Sequence, residues 1–265
     1  MVHRLTNRQK QWWIDGVLFL LSAWCLIWLI VQGSDKLGYH WQWYRVPQYL
    51  IDFSGDGWAP GPLISGLWVT LKIAAASLGL AFLIGLFAAV CRGSVSVIGQ
   101  LLSRGYIELI RNTPLLVQLF FIYFVLAPAL GMGRFFSAIL ALSLFEGAYI
   151  SEILRAGIQS VDRGQWEAAF SCGLTPVQTY RHVILPQAIR RMLPPLTGQG
   201  VSLIKDSALV STIAIYDLTM QGQAIISETF LTFEIWFTVS VIYLFMTGTL
   251  STVVQILEKR TSFDK

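Results

Sequence analysis

Three charged residues of this 265-residue chain stand inside long apolar stretches: Glu146, and the adjacent pair Lys205 and Asp206. A charge in such surroundings is costly unless it faces a cavity or a partner, so each marks a candidate binding position. A lysine ammonium, or the end of a helix, suits a carboxylate, while a Glu or Asp carboxylate suits an ammonium or a cationic side chain. The set therefore has the chemistry to hold a small solute, whether acidic, amide-bearing or basic. The alternative is an ion pair, Lys205 with Asp206 or with Glu146, that fixes packing without touching a solute.

Other chemistries lack their residues. His3, His40 and His182 are too scattered for a proton relay, and no metal-ligand spacing or nucleophile elbow occurs. No G-x-x-x-x-G-K-[ST] phosphate loop is present, so ATP hydrolysis is not expected of this chain, and any energy it uses must come from a partner or a gradient. Cys25, Cys91 and Cys172 form no obvious disulfide framework.

The elements that position these charges follow from composition. Hydrophobic residues make up 55% of the chain, charged residues 13%, and the mean hydropathy is +0.61, which points to lipid as the solvent. With roughly 20 apolar residues needed per crossing, about six helices are predicted: Trp13 to Val31, Ile64 to Val90, Pro114 to about Leu130, Phe135 to roughly Ile158, about Pro186 to Ile215, and Ile235 to Leu257. Pro194, Pro195, Gly198 and Gly200 interrupt the fifth, where a break is expected. Glu146 falls midway along the fourth and Lys205-Asp206 near the middle of the fifth, which suggests a similar depth. Lys72 is expected to snorkel from the outer end of the second.

Basic residues set the orientation. Arg4, Arg8 and Lys10 precede the first helix; Arg92, Arg104 and Arg111 fall between the second and third; Arg155, Arg163, Arg181, Arg190 and Arg191 surround the fourth-to-fifth connection; Lys259, Arg260 and Lys265 end the chain. All these stretches are expected inside, with both termini in the cytoplasm. Asp217, Glu228 and Glu234 share the fifth-to-sixth connection without a basic residue, which places it outside. The net charge of +4 is thus a topology signal, and no nucleic-acid partner is expected. No small-residue cleavage site follows Val31, so the first span reads as retained rather than as a cleaved signal. The aromatics of the 32–62 loop, such as His40-Trp41-Gln42-Trp43-Tyr44, suit the lipid interface. In the second span Ser77, Ala81, Gly85 and Ala89 recur every four residues and allow close helix approach, within one subunit or across a dimer seam.

Between the fourth and fifth spans runs E-A-A-F-S-C-G from Glu167, followed by nine residues and V-I-L-P ending at Pro186. Ala168, Ala169 and Gly173 place small residues within two helical turns, so a short helix can press into a groove on another protein, with Glu167 expected at its start. The stretch resembles the EAA loop of ATP-binding cassette (ABC) importer permeases, departing only at Val183, where the family has isoleucine. Arg111-Asn112-Thr113-Pro114-Leu115-Leu116-Val117-Gln118 is similar to the R-G-T-P-L-L-V-Q of the polar amino-acid branch, with Thr113 suited to cap the next helix and Pro114 to its first position. Ala148-Tyr149-Ile150-Ser151-Glu152-Ile153-Leu154-Arg155-Ala156-Gly157-Ile158 resembles A-Y-x-x-E-x-x-R-x-G-I, with Glu152 and Arg155 one turn apart and able to pair. Gly164-Gln165-Trp166-Glu167-Ala168-Ala169, Leu185-Pro186-Gln187-Ala188 and Lys205-Asp206-Ser207-Ala208-Leu209 resemble G-Q-x-E-A-A, L-P-Q-A and K-D-T-S-L, the last departing at two adjacent positions.

The resemblance covers roughly Gly66 to Glu258. It implies an all-α membrane protein with a type I ABC importer permease fold: a five-helix core over 63–265, and an added N-terminal helix and outer loop over 1–62. It further implies a pathway formed with a second permease subunit, identical or homologous, in the bacterial inner membrane. Two cytoplasmic ATPases carrying ATP and Mg would dock on Gln165, Glu167, Ala168, Ala169, Gly173 and Leu174, and an outer solute-binding protein would deliver the amino acid. Tyr149 joins Glu146, Lys205 and Asp206 as a candidate substrate contact. No cofactor or metal is expected in this chain. An ion-coupled secondary transporter is the alternative that the intramembrane charges permit, although no internal repeat supports it.

Overall fold

The computed structural model describes residues 2–36, 39–52 and 59–261; Lys265 and part of the 32–62 loop lie outside the described residues. Two compact units result, Met1–Tyr44 and Arg45–Lys265. In the first, helix α1 (Val2–Lys36) carries a candidate membrane span over Ile14–Gly33. Its apolar side chains, among them Phe19, Leu20 and Trp24, are exposed, as lipid-facing side chains must be. Beyond it Trp41 stacks on Trp43 at 5.9 Å and meets Tyr39 edge-on at 5.6 Å.

The second unit begins at Arg45, earlier than the 63 expected. Residues 45–52 and 59–62 join it because Tyr49 and Leu50 pack on the cluster containing Leu63, and because Gly61 donates to the Leu50 carbonyl at 2.9 Å. A short antiparallel pair, β1 (Ile51–Asp52) with β2 (Ala59–Pro60), closes this segment. Then follow α2 (Pro62–Gly93), α3 (Val97–Arg111), α4 (Leu115–Leu130), α5 (Arg134–Gln159), α6 (Arg163–Ser171), α7 (Leu185–Asp206), α8 (Leu218–Thr229) and α9 (Thr232–Thr261).

Among the described residues α1, α2, α5 and α9 are each long and apolar enough to cross a membrane. A fifth span arises if α3 and α4, which meet at 108°, count as one broken crossing. The expected third span thus corresponds to α4, which is too short to count alone. The expected fifth span forms as α7 with its continuation, but Arg190, Arg191, Gln199, Lys205 and Asp206 make it too polar to count.

The bend before α4 differs from expectation in its chemistry. Thr113 does not cap α4: its Oγ1 donates back to the Leu109 carbonyl at 2.9 Å, closing α3, and Pro114 occupies the cap position without a side-chain bond. Gln118 locks the corner, its Nε2 donating to the Ile110 and Thr113 carbonyls at 2.8 and 3.0 Å. Helix α7 likewise runs unbroken through Pro194 and Pro195. The break falls later, where a 3-10 turn over Ser207–Ile213 takes over and Ala214 adopts a left-handed backbone, φ 55°.

The small-residue ridge of α2 packs inside the chain. Ser77, Ala81 and Gly85 are buried, and a Cβ at Gly85 would lie 2.8 Å from the Gly147 carbonyl oxygen of α5. Side chains fasten the neighbouring helices: Tyr106 donates to the Leu144 carbonyl at 2.7 Å and Ser103 to that of Ala88 at 2.8 Å. One apolar core joins α2, α4, α5 and α7 through Ile73, Leu119, Leu142 and Leu203. Another joins α2, α5 and α7 through Ala81, Ile150, Ile184 and Met192. Of the acidic residues expected in the outer connection only Glu228 is exposed; Glu234 is buried, and Asp217 is buried while capping α8, its Oδ1 accepting from the Met220 amide at 2.9 Å. Lys72 is exposed and lies 6.0 Å from the Trp68 ring centroid, in keeping with a snorkelling side chain.

Candidate functional site

Helix α6 is a short amphipathic element with its own stops. Asp162 caps it by accepting from the Gly164 amide at 2.6 Å, so the expected position of Glu167 at the helix start is wrong; Glu167 lies in its interior. The helix ends in the glycine turn that its sequence calls for. Gly173 takes φ 80°, its amide donates to the Phe170 carbonyl at 2.9 Å, and Leu174 reaches the Ala169 carbonyl at 3.2 Å. The chain restarts at once, because Thr175 and Gln178 form a reciprocal capping box with Pro176 at the first position.

This geometry sorts the small residues. Ala169 is buried in the chain, whereas Gln165, Glu167, Ala168 and Gly173 are exposed and Leu174 is half-buried. Phe170 and Val177 add apolar side chains 48% and 76% exposed, a surface open for a neighbour. Gln187 of the L-P-Q-A stretch donates to Gln165 at 3.1 Å, and Trp166 meets Tyr180 edge-on at 4.9 Å, so α6 is tied to the start of α7.

The buried charges fall into two groups. Glu146 is fully buried on α5; one carboxylate oxygen accepts from Gln199 Nε2 of α7 at 2.5 Å, and the other has no hydrogen-bond partner. Asp206 is half-buried and close enough to Glu146 to interact with it electrostatically. Lys205 is exposed where α7 passes into its 3-10 continuation, and forms an ion pair with neither acid. The physical reason is that successive helical residues point apart. Glu146, Gln199 and Asp206 thus converge, while Lys205 is exposed and acts electrostatically on Asp206 without forming an ion pair.

Tyr149 belongs to the second group. Glu152 of α5 pairs with Arg92 of α2 through Oε1, and through Oε2 with Arg155 at 2.7 Å, while Arg111 of α3 approaches to 4.0 Å. The expected Glu152–Arg155 pair is therefore present as part of a larger cluster. The Arg111 guanidinium lies over the Tyr149 ring, 5.4 Å from its centroid. Sequence reasoning did not find Gln199 or the partnership of Arg92 and Arg111 with Glu152, because those residues are separated from their partners by whole helices. Only a polar side chain in an apolar run was available to flag Gln199.

The chain is thus an apolar helical bundle with buried polar groups and an exposed helix, capped at both ends, between two of its core helices. The profile of the family described as "Binding-protein-dependent transport system inner membrane component" matches residues 81–263, and the chain belongs to that family. It is 42% identical over 201 residues to the glutamine transport system permease protein GlnP of Escherichia coli (strain K12), covering 75% of this chain and 92% of that protein. It is 38% identical to the nopaline transport system permease protein NocM of Agrobacterium fabrum, over 74% and 86% of the two chains. Among solved structures, an amino acid ABC transporter crystallised with histidines matches with a TM-score of 0.72 and 42% identity, over 75% of this chain and 94% of that one. The methionine ABC transporter MetNI, at 20% identity and a TM-score of 0.66 over 76% and 97%, shares the fold. The ABC permease fold expected from sequence is thus present, and nothing favours an ion-coupled secondary transporter.

Proposed function

We propose that this chain is the permease subunit of an ATP-driven importer for polar amino acids in the bacterial inner membrane, with both termini in the cytoplasm. The observation that carries the reading is 42% identity to a glutamine permease, sustained across 92% of that protein. Two permease subunits, identical or homologous, form the pathway. Two ABC ATPases hold ATP and Mg and dock on the exposed face of α6, meeting Gln165, Glu167, Ala168, Gly173 and Leu174, with Ala169 packed beneath. An outer binding protein supplies the amino acid. ATP binding moves α6; its ties to α7 through Gln165–Gln187 and Trp166–Tyr180 then alter the packing of α7 on α5, where Glu146 and Gln199 meet.

Co-expression with the candidate ATPase and binding protein, followed by uptake of a labelled amino-acid panel, tests this directly. Gly173→Trp should abolish ATPase co-purification and uptake, because the left-handed backbone resists a side chain and an indole would fill the docking face. Unchanged uptake by that variant, or full uptake by the permease alone, would remove the reading.

Within this proposal Glu146 and Asp206 hold the cationic part of the substrate, and Gln199 orients Glu146. Glu146→Gln should cut uptake on the order of tenfold or more while leaving membrane level and ATPase assembly unchanged, since an amide keeps the shape and loses the charge. Wild-type rates and substrate preference in that variant would assign Glu146 to packing alone.

A further inference from the structure

Where α3 turns into α4, a cavity of about 370 Å³ is lined by Arg92, Ile107, Glu108, Arg111, Asn112, Tyr149 and Glu152. Its charges are not equally committed. Both oxygens of Glu152 are engaged, by Arg92 and by Arg155. Arg111, its side chain 45% exposed, touches that carboxylate only at 4.0 Å and is otherwise held by the Tyr149 ring. Among the described residues no hydrogen bond engages its remaining donors. Glu108 is exposed one turn earlier on the same helix, and among the described residues its carboxylate has no ion-pair partner. Asn112 is fixed beside them, its Nδ2 donating to the Glu108 carbonyl at 2.7 Å.

The end of α3 therefore offers a planar guanidinium fork, an exposed carboxylate and an amide, with the Tyr149 ring set against the guanidinium. A guanidinium recognises a carboxylate with two parallel bonds, a carboxylate recognises an ammonium, and an aromatic ring stacked on the guanidinium holds its fork in place. We infer that this cavity is a second amino-acid site, separate from Glu146, Gln199 and Asp206, in which Arg111 takes the α-carboxylate and Glu108 the α-ammonium. This rests on the amino-acid reading above. An anionic lipid headgroup fits less well, because Glu108 and Glu152 put negative charge into the same lining and a phosphodiester supplies no cation for Glu108 in return. On the proposed topology, with the α2–α3 and α3–α4 turns inside, the cavity lies toward the cytoplasm. An amino acid bound there is leaving, or has returned from the cell.

The test is equilibrium binding of L-glutamine, L-glutamate, L-arginine and L-histidine to the full-length permease in phosphatidylcholine nanodiscs, beside uptake by the assembled importer. At least one of the four should bind, and Arg111→Gln should weaken it by about tenfold, the expected loss of a charge-assisted bidentate contact. Arg111→Lys should recover part of the loss, and Glu108→Gln should weaken binding separately. Capping the ligand's carboxylate as a primary amide should erase the difference between wild type and Arg111→Gln. Arg111-dependent binding should persist in Glu146→Gln. Affinity unchanged by Arg111→Gln overturns the inference, as does a variant whose only change is reduced retention of added phosphatidylglycerol. If none of the four binds while the importer still takes one up, the second site is refuted and the importer reading stands. If the importer takes up none, both fall.

Discussion

Gly85→Leu should leave little folded permease in the membrane, because the position has no room for a side chain. A Cβ there would sit 2.7 Å from Ile150 Cγ2 and 2.8 Å from the Gly147 carbonyl oxygen, and the second of these is backbone. Ordinary overpacking costs about 1–3 kcal/mol. Here α2 and α5 must separate along a face shared by Ser77, Ala81 and Gly147, so the cost should lie at or above the top of that range. One further bond fails with it: Ser143 Oγ to the Ser77 carbonyl, 3.2 Å, which needs α2 and α5 close. Gly79→Leu on the same helix is the control, since nothing lies within 4 Å of its Cβ position. Thermal unfolding in detergent and the yield of monodisperse protein should separate the two variants. Equal stability would show that the close crossing is not what holds α2 to α5.

Glu152→Ala should be nearly as damaging, through charge rather than volume. The Glu152 carboxylate is shared by Arg92 and Arg155 and approached by Arg111, and its side chain is only 19% exposed. Removing it leaves three guanidinium groups from three helices facing one another. Breaking a buried pair costs about 3–5 kcal/mol, and partial exposure of the arginines reduces this to roughly 2–3 kcal/mol. The added substitution Arg92→Ala should restore part of the loss, so the double-mutant cycle yields a coupling energy on the order of 1 kcal/mol or more. Added salt should help the single variant more than the wild type, by screening the like charges. Additive losses in the cycle would show that Glu152 acts by packing alone.

Much of this protein was legible before any coordinates because its signals are local. Apolar runs set the positions of α1, α2, α5 and α9, and their lengths match the spans read from sequence. The small residues Ala168, Ala169 and Gly173 are readable as a short docking helix from residue types alone. The Glu152–Arg155 pair follows from helical spacing. The local errors were equally instructive. Thr113 has the chemistry of a cap, yet its hydroxyl bonds the helix behind it, since both directions are open to a short hydroxyl side chain. Two adjacent prolines signal a break, yet α7 passes through them and ends later, its packing against α2, α5 and α9 outweighing the lost backbone bonds.

The sequence by itself determined four of the membrane spans and the loop that resembles an ATPase dock, because each depends on residues adjacent in the chain or one helical turn apart. The tertiary structure decided which charges meet. Glu146 finds Gln199 across 53 positions, and Arg92 finds Glu152 across 60. No periodicity encodes such pairs; they exist only because glycines and small residues let α2 and α5 approach closely and because α7 then lies against α5. The same packing brings Asp206 to Glu146 and sets Tyr149 against Arg111 in the arginine cavity rather than at the Glu146 site.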